Sequence, residues 1–253
     1  MTRGTTMSKQ RYLIPVWETV TTAWQNVKGS KGSFWAALGI FFLISFGLGM
    51  IEGLVESASV KAGHAISFVC EILIYFLQMG FLFMGIRRAQ GSPISFKMLF
   101  YVFSHANILI HVILLYLLQL VIILLPIFLM TFCAIFMANA WDSAPYQFTL
   151  GLVGCGLLFL LGFIAVIYLT LRMIIAMAFV LDKQSKAWPA VKQSFKATRG
   201  NIWRLIGLFL IQLGIFIVAI IPLGIGLIWA IPFGFICYGL IYKRLSSPAL
   251  AKS

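Results

Sequence analysis

The sequence has few acidic residues and few charged residues of either sign. Its 253 residues include 6 Asp and Glu, and charged residues make up 10% of the chain, whereas hydrophobic residues make up 62%. A soluble domain cannot bury so much apolar surface in its core, so this composition excludes an ordinary soluble protein. It also leaves few carboxylates for acid–base chemistry.

Cysteine is scarce too, and its spacing fits none of the usual cysteine-based sites. Cys70, Cys133, Cys155 and Cys237 lie inside apolar segments, with no C-x-x-C pair and no histidine beside them. We therefore expect buried free thiols, not a disulfide framework or a metal site, and a Cys133–Cys155 bridge stays open as an alternative. The sequence also has no nucleophile–base pair, H-E-x-x-H motif or Walker loop. We predict no enzymatic activity and no cofactor.

What the chain has in excess is apolar and basic side chains. Its mean hydropathy is +1.03, it contains 23 phenylalanines, and its formal net charge is +13. The basic residues stand in short loops beside apolar runs, where they orient a protein in the membrane and meet anionic lipid headgroups. We therefore expect membrane lipids as partners and do not expect nucleic acid. The sequence leaves room for a protein partner that it does not identify.

Six apolar segments determine the predicted fold. A hydrocarbon core of ~30 Å requires ~20 helical residues, and these segments approach or exceed that length. They cover residues 34–54, 66–86, 108–137, 148–181, 202–221 and 227–242. The fold is therefore predicted to be all-α, a polytopic membrane helical bundle. Residues 1–33 are predicted to form a basic tail and an interfacial helix, residues 34–245 the membrane domain, and residues 246–253 a short cytoplasmic tail.

The connections and the long fourth span carry their own predictions. Residues 52–64 contain charged side chains, so we expect an aqueous loop or a short surface helix there. Residues 138–147 separate the third and fourth spans. At ~1.5 Å per residue the fourth span would form a helix of ~51 Å, which is too long for the bilayer. We expect its end, residues 173–181, to project beyond the membrane under a cover of protein, with Arg172 near the headgroups.

The distribution of positive charge predicts the topology. All of the 19 Lys and Arg residues except Lys61 and Arg172 fall in four segments: the N-terminal region, residues 87–107, residues 182–204 and the C-terminal end. Six spans with both termini in the cytoplasm place every one of these segments on the cytoplasmic side, as the positive-inside rule requires. Five or seven spans would break this alternation.

Three stretches that precede the odd-numbered spans have the pattern of cytoplasmic interfacial helices. In residues 14–28, four apolar residues recur at spacings of three and four, which places them on one helical face. They are Trp17, Val20, Trp24 and Val27. Residues 94–103 form a second amphipathic patch. Helices of this kind lie in the membrane interface, with their rings in lipid and their cations at the headgroups.

The third stretch, residues 181–203, is the longest polar break in the second half of the chain. A helix there would have an apolar face and a basic face. The apolar face carries Trp188, Val191 and Phe195. The candidate contacts to lipid headgroups are Lys192, Lys196 and Arg199 on the basic face, together with Lys28 and Lys31 after the first interfacial helix.

Segments near the two ends of the chain resemble each other. FWAALGIFFLIS, from Phe34, and IWRLIGLFLIQ, from Ile202, share a Trp that is followed by a Gly four residues later. GFLFMGIRR, from Gly80, and GFICYGLIYKR, from Gly234, close the second and sixth spans. We predict a degenerate three-fold repeat, in which an interfacial helix is followed each time by a membrane hairpin.

Three longer segments resemble a known family. They are LQMGFLFMGIRRAQGSPISFKMLFYVF from Leu77, VLDKQSKAWPAVKQSFKATRGNIWRLIGLFL from Val180, and YGLIYKRL from Tyr238. They are similar to poorly characterised bacterial six-span inner-membrane proteins, a group that includes the membrane domain preceding the catalytic domain of some glycerophosphodiester phosphodiesterases. The resemblance implies an inner-membrane location and a six-helix fold, and it brings no established activity. No phosphodiesterase domain is expected in this chain.

Polar residues inside the spans form a second candidate site. They are Glu71, Gln78, Gln119, Gln212 and Arg172. Hydrogen bonds to neighbouring helices or to headgroups are the structural explanation for such residues. A polar path through the membrane is the functional explanation.

Two function classes follow from these observations. The first is a non-catalytic integral inner-membrane protein that organises lipid or scaffolds a partner, and the basic interfacial helices support it. The alternative is a small transporter or permease-like protein for a small solute or lipid. It is supported by the intramembrane polar residues and by the breaks around Pro126 and Pro222.

Overall fold

The computed structural model describes residues 13–141 and 145–246, and all regular structure in them is helical, which confirms the all-α prediction. The helices are α1 (Val16–Asn26), α2 (Lys31–Ala58), α3 (Val60–Ala89), a 310 helix (Phe96–Ser104), α4 (Ala106–Trp141), α5 (Pro145–Lys183), α6 (Ala187–Thr198), α7 (Ile202–Ile220) and α8 (Leu227–Leu245). Outside the described residues lie residues 1–12 of the predicted basic tail, residues 247–253 of the predicted C-terminal tail, and residues 142–144 of the predicted loop.

Five of these helices are long and apolar enough to cross a membrane by length and composition. They are α2, α3, the part of α4 over Ala106–Cys133, the part of α5 over Gly151–Lys183, and α7. The chain is therefore a multi-pass membrane protein. The sixth predicted span corresponds to α8, which is not among the five. Its 19 residues include Pro232, Lys243 and Arg244, which lower its hydropathy, and most of its length is buried in protein.

The connection between the first two spans differs from the prediction. Residues 52–64 form neither an aqueous loop nor a separate surface helix, because α2 continues to Ala58 and α3 begins at Val60. Ser59 alone separates the two helices. It has an extended backbone, and its side chain accepts a hydrogen bond from the Ala62 amide, so it caps the N-terminus of α3. Both helices tolerate charge here because these ends are largely exposed.

The described chain forms two compact units, the first of which comprises residues 13–101 and 196–246. Its centre is the packing of α3 against α8, with α1, α2 and α7 around them. Gly85 of α3 and Gly239 of α8 lie where these helices meet. A Cβ atom at either position would collide with backbone atoms of the other helix. The close approach therefore requires glycine at both positions, as in other tightly packed membrane helices.

The second unit, Val102–Phe195, is built on the packing of α4 against α5. α4 continues through Pro126, which faces Gly162 of α5. Helix α5 is 39 residues long, and residues 151–165 are largely exposed. Residues 173–181 are buried almost throughout. This confirms the prediction that protein covers the end of the fourth span.

Candidate functional site

Helix α1 has a buried face and an exposed face, and both follow from its side chains. Thr19, Ala23 and Val27 recur every four residues and are buried. Their small size allows α1 to lie close to the helices beside it. Trp17 is 73% exposed and Trp24 is 50% exposed. The predicted apolar face is therefore divided, because Val27 is buried in protein and the Trp24 ring packs edge-on against Phe233, while the Trp17 ring is left for the membrane interface.

The C-terminal end of α1 is held by Arg88 of α3. The Arg88 Nε donates a hydrogen bond to the Asn26 carbonyl at 3.0 Å, and its Nη2 donates to the Lys28 carbonyl. Carbonyl groups at a helix C-terminus carry partial negative charge, so a guanidinium group is well matched to them. Arg88 is thus engaged in positioning α1.

The N-terminal end of α1 is held in a similar way. The Ile14 amide donates to Asn201 Oδ1 at 3.0 Å, and the Ile14 carbonyl accepts from Arg204 Nη1 at 2.8 Å. Arg244 Nη2 lies 2.9 Å from Glu18 Oε1 and forms an ion pair with it. Because Glu18 is exposed, this ion pair contributes only ~0–1 kcal/mol. The hydrogen bonds to Ile14 therefore do more to fix the helix.

The cations predicted to contact headgroups take no part in the hydrogen bonds and the ion pair that hold α1. Exposed side chains are found at Lys28, Lys192, Lys196 and Arg199. The Lys31 ammonium lies over the ring of Trp229, 4.4 Å from its centroid. Among the described residues, none of the five forms an ion pair with a carboxylate. The structure thus separates arginines that bind backbone carbonyls from cations that face the surroundings.

Helix α6, like α1, has a buried face of small side chains and an exposed tryptophan. Ala190, Ser194 and Ala197 are buried along one face of the helix. Trp188 is 64% exposed, and the Lys192 ammonium lies 5.5 Å from the centroid of its ring. The short helix predicted for this polar break is therefore present, with tryptophan and cations on its exposed side.

The third predicted interfacial element, residues 94–103, forms a 310 helix over Phe96–Ser104 instead of an α-helix. A 310 helix has three residues per turn, so side chains three positions apart share a face. Leu99 and Val102 are buried, whereas Phe100 and Phe103 are exposed. The period of three accounts for both pairs, and the segment keeps the amphipathic character that the sequence predicts.

Arg172 is 8% exposed and lies where the covered end of α5 begins. Its Nη1 donates to the Phe195 carbonyl at 3.1 Å. Its guanidinium group lies 4.5 Å from the ring centroids of both Tyr168 and Phe195. The Ser194 hydroxyl donates to the Arg172 carbonyl. Arg172 therefore fastens α6 to α5.

Arg172→Met is expected to loosen α6 while leaving membrane insertion intact. Methionine keeps an apolar stem but loses the hydrogen bond and the ring contacts, and a cation–π contact alone is worth ~0.5–2 kcal/mol. Trypsin should then cut the link between the helices, at Lys183 or Lys186, roughly tenfold faster, as a loss of ~1.4 kcal/mol implies. Arg172→Lys keeps the charge but not the planar group, so it should rescue only in part. An unchanged cleavage rate in inserted Arg172→Met protein would contradict this role.

The remaining intramembrane polar residues do not gather around a described cavity. Glu71 and Gln78 are exposed on α3, and the amide nitrogen of Gln212 lies beside Gly234 of α8. Gln119, in the second unit, has an interaction partner. An apolar cavity along α7 and α8 and another between α4 and α5 are lined by other residues.

All four cysteines are free thiols in the structure, but only Cys70 and Cys237 are buried as expected. Cys133 and Cys155 are half-buried, and Cys155 Sγ lies 4.0 Å from the Cys133 carbonyl. Within residues 13–141 and 145–246, no group of three or more His, Cys, Asp or Glu side chains is placed to hold a metal ion.

Sequence reasoning missed the small-residue faces and the arginines that hold α1. The first had a signal in the sequence, since Thr19 and Ala23, like Ala190 and Ser194, stand four positions apart. The second had none, because Arg88 reaches carbonyl groups far away in the chain.

Comparison with known proteins gives a family without a function. A family model described as "Protein of unknown function (DUF975)" matches residues 16–249. No curated protein and no solved structure matches the chain.

Proposed function

The chain belongs to the DUF975 family, whose description names no function, and we propose that it is a non-catalytic membrane protein that binds anionic lipid headgroups through α1 and α6. Such binding organises lipid around the protein or positions a protein partner at the membrane surface. One observation carries the proposal. Each helix buries a face of small side chains and exposes a tryptophan, and cations without a carboxylate partner lie on or just after it.

The proposed location is the cytoplasmic side of a bacterial inner membrane, with six spans and both termini inside. In this proposal α8 is the sixth span. Lys243 and Arg244 end it at the headgroups. Its first turn lies beside the start of α2, because Lys31 lies over Trp229 and the Trp35 Nε1 donates to the Ile228 carbonyl, so in this proposal α8 crosses with a strong tilt relative to α2. The positive-inside rule then holds for every basic segment. The relation to the membrane domain of glycerophosphodiester phosphodiesterases stays a prediction from sequence resemblance.

The proposed repeat gains support from conformation. Gly29, after α1, and Gly200, after α6, both have a left-handed backbone, with φ of +77° and +86°. The residues that follow them, Ser30 and Asn201, are both buried. This register places Trp203 opposite Gly32, so it differs from the Trp–Gly match seen in the sequence. We propose that α1–α3 and α6–α8 are two copies of one unit, with the 310 helix, α4 and α5 as a more divergent third.

The packing of α3 on α8 fits the same proposal. Phe81 and Phe235 occupy equivalent positions in the closing motifs of the second and sixth spans, and their rings stack with centroids 5.2 Å apart. Gly85 and Gly239 are also equivalent, and they meet in the same crossing. Equivalent residues that contact each other are expected when two copies of a unit pack about a local two-fold axis.

The permease alternative has less support. It requires polar side chains to converge on a path through the membrane, whereas Glu71 and Gln78 are exposed. The headgroup proposal uses residues that the structure leaves accessible.

The proposal is tested by Lys192→Gln, Lys196→Gln and Arg199→Gln in one chain. Each cation near an anionic leaflet contributes ~1 kcal/mol at most, so the three contribute ~3 kcal/mol, equivalent to roughly a hundredfold in association constant. Native mass spectrometry should show a loss of bound phosphatidylglycerol approaching that limit, and the remaining binding should depend less on salt.

A charge-preserving variant is the matched control. Lys192→Arg, Lys196→Arg and Arg199→Lys in one chain keep three cations on the same helix face, so phosphatidylglycerol binding should be close to that of the unchanged protein. If the glutamine variant inserts correctly and binds anionic lipid as before, these cations serve only to orient the chain in the membrane.

A further inference from the structure

The first unit contains an open apolar cavity of about 630 Å3. It lies along the α7–α8 hairpin, and Trp24 of α1 contributes to its wall. Gly214 contributes backbone only, and a Cβ atom there would meet no neighbouring atom within 4 Å. Gly214 therefore borders open space that a larger side chain could occupy.

The chemistry of the walls selects an apolar occupant. The side chains that line the cavity are aliphatic or indole groups, among them Val218, Ala219 and Trp229. The volume falls within the range of ~300–1,000 Å3 that small-molecule sites have. One wall is α7, which is long and apolar enough to cross the membrane. In that setting, a lipid acyl chain is the apolar molecule that has access to the opening.

A fixed positive charge lies beside this cavity. Trp229 is one of the lining residues, and the Lys31 ammonium lies 4.4 Å from its ring centroid. This contact holds the cation at the aromatic wall. In the described part of the chain, Lys31 has no carboxylate partner, so its charge is available to an anion. A phosphate group next to an apolar chain matches this pair of features.

We propose that the cavity is a specific lipid site, which holds one acyl chain of an anionic phospholipid beside Gly214 and Trp229 with the phosphate at Lys31. The inference deepens the proposed function, since it names a lipid and a place for it on the protein. It uses different residues from the basic face of α6. The two proposals can therefore fail separately.

Gly214→Leu tests the acyl-chain part. The leucine side chain would fill the open space without meeting another helix, so it should exclude lipid while improving helix propensity. Gly207→Leu is the matched control, because Gly207 is also in α7, also has open space around it, and does not line the cavity. Both variants are reconstituted in nanodiscs of phosphatidylglycerol and phosphatidylcholine. A phosphatidylglycerol with a diazirine in its acyl chain is then crosslinked and its attachment sites are mapped.

In the unchanged protein and in Gly207→Leu, crosslinks are expected on the α7 and α8 peptides that line the cavity. In Gly214→Leu they should fall about tenfold. Val218→Phe, which adds bulk to another wall, should do the same, and it serves as the second variant if Gly214→Leu does not fold. Equal crosslinking in Gly214→Leu, Val218→Phe and Gly207→Leu would overturn the proposal.

Lys31→Gln tests the headgroup part. It should leave acyl-chain crosslinking in place but remove most of the preference for phosphatidylglycerol over a phosphatidylcholine probe with the same chains. If the preference for phosphatidylglycerol persists, Lys31 does not bind the anionic headgroup and that part of the proposal is wrong. The two sites are distinguished if Lys31→Gln loses this preference while binding at Lys192, Lys196 and Arg199 stays normal. They are also distinguished if the preference stays and binding at those three residues is lost.

Discussion

Gly239→Leu is expected to prevent the protein from reaching a stable folded state in the membrane. A side chain at this position would enter the backbone of α3 at Gly85 and Ile86. Backbone atoms inside a helix cannot move aside as the tip of a flexible side chain can. Overpacking usually costs ~1–3 kcal/mol, and here the two central helices of the unit would have to separate, so we expect a loss above that range. Gly85→Leu should have the same effect, because Gly85 meets Phe235 backbone in the same crossing.

The comparison variant is Gly47→Leu in α2, where a Cβ atom would meet nothing within 4 Å. It adds the same side chain to a membrane helix without a collision, so it should leave the yield of detergent-extracted, monodisperse protein unchanged. Gly239→Leu should lose nearly all of that yield, and Gly239→Ala should fall in between. If Gly239→Leu and Gly47→Leu gave equal yield and equal thermal stability, α3 and α8 would not be in close contact at this point.

Much of the helical architecture could be predicted, because membrane helices follow from hydropathy over ~20 residues. The excess length of the fourth span also predicted that its end would be covered, since a helix longer than the bilayer is thick must place its end in water or under protein. The prediction of a loop or a separate surface helix at residues 52–64 is wrong, because charged side chains do not by themselves end a helix. A helix keeps its own backbone hydrogen bonds, so it can continue beyond the apolar region, and only the extended Ser59 interrupts it.

The candidate site was predictable only in part, because its parts come from distant segments. Periodicity identified Lys192, Lys196 and Arg199 as one face of a helix. It gave no means of knowing that Arg88 binds the carbonyl groups at the end of α1. The apolar cavity was out of reach for the same reason. It is lined by residues of α7 and α8, such as Gly214, and by Trp24, which tertiary structure brings beside them.

The predicted topology should give a large difference in cysteine labelling between the two sides of the membrane, because an impermeant reagent labels one side almost exclusively. In a chain whose four native cysteines are replaced by alanine, Ser143→Cys and Leu223→Cys are expected to react with an impermeant maleimide added to intact cells or spheroplasts. Leu223 is 97% exposed at the turn between α7 and α8. Lys192→Cys should react only after the membrane is permeabilised, which also shows that its thiol is reactive.

Ser246→Cys decides whether α8 is a sixth span. Ser246 directly follows the last residue of α8, and Leu223 lies in the turn before its first residue, Leu227. If α8 crosses the bilayer, these two probes lie on opposite sides, so Ser246→Cys should be protected in intact cells and labelled after permeabilisation. If α8 enters the membrane and returns to the same side, both would be labelled from outside. That result would leave five spans and place Lys243 and Arg244 outside, against the positive-inside rule. Because Lys243 donates to the Ala89 carbonyl at the end of α3, and Arg87 and Arg88 lie at that same end, we expect the protected pattern, with all four cations on the cytoplasmic side.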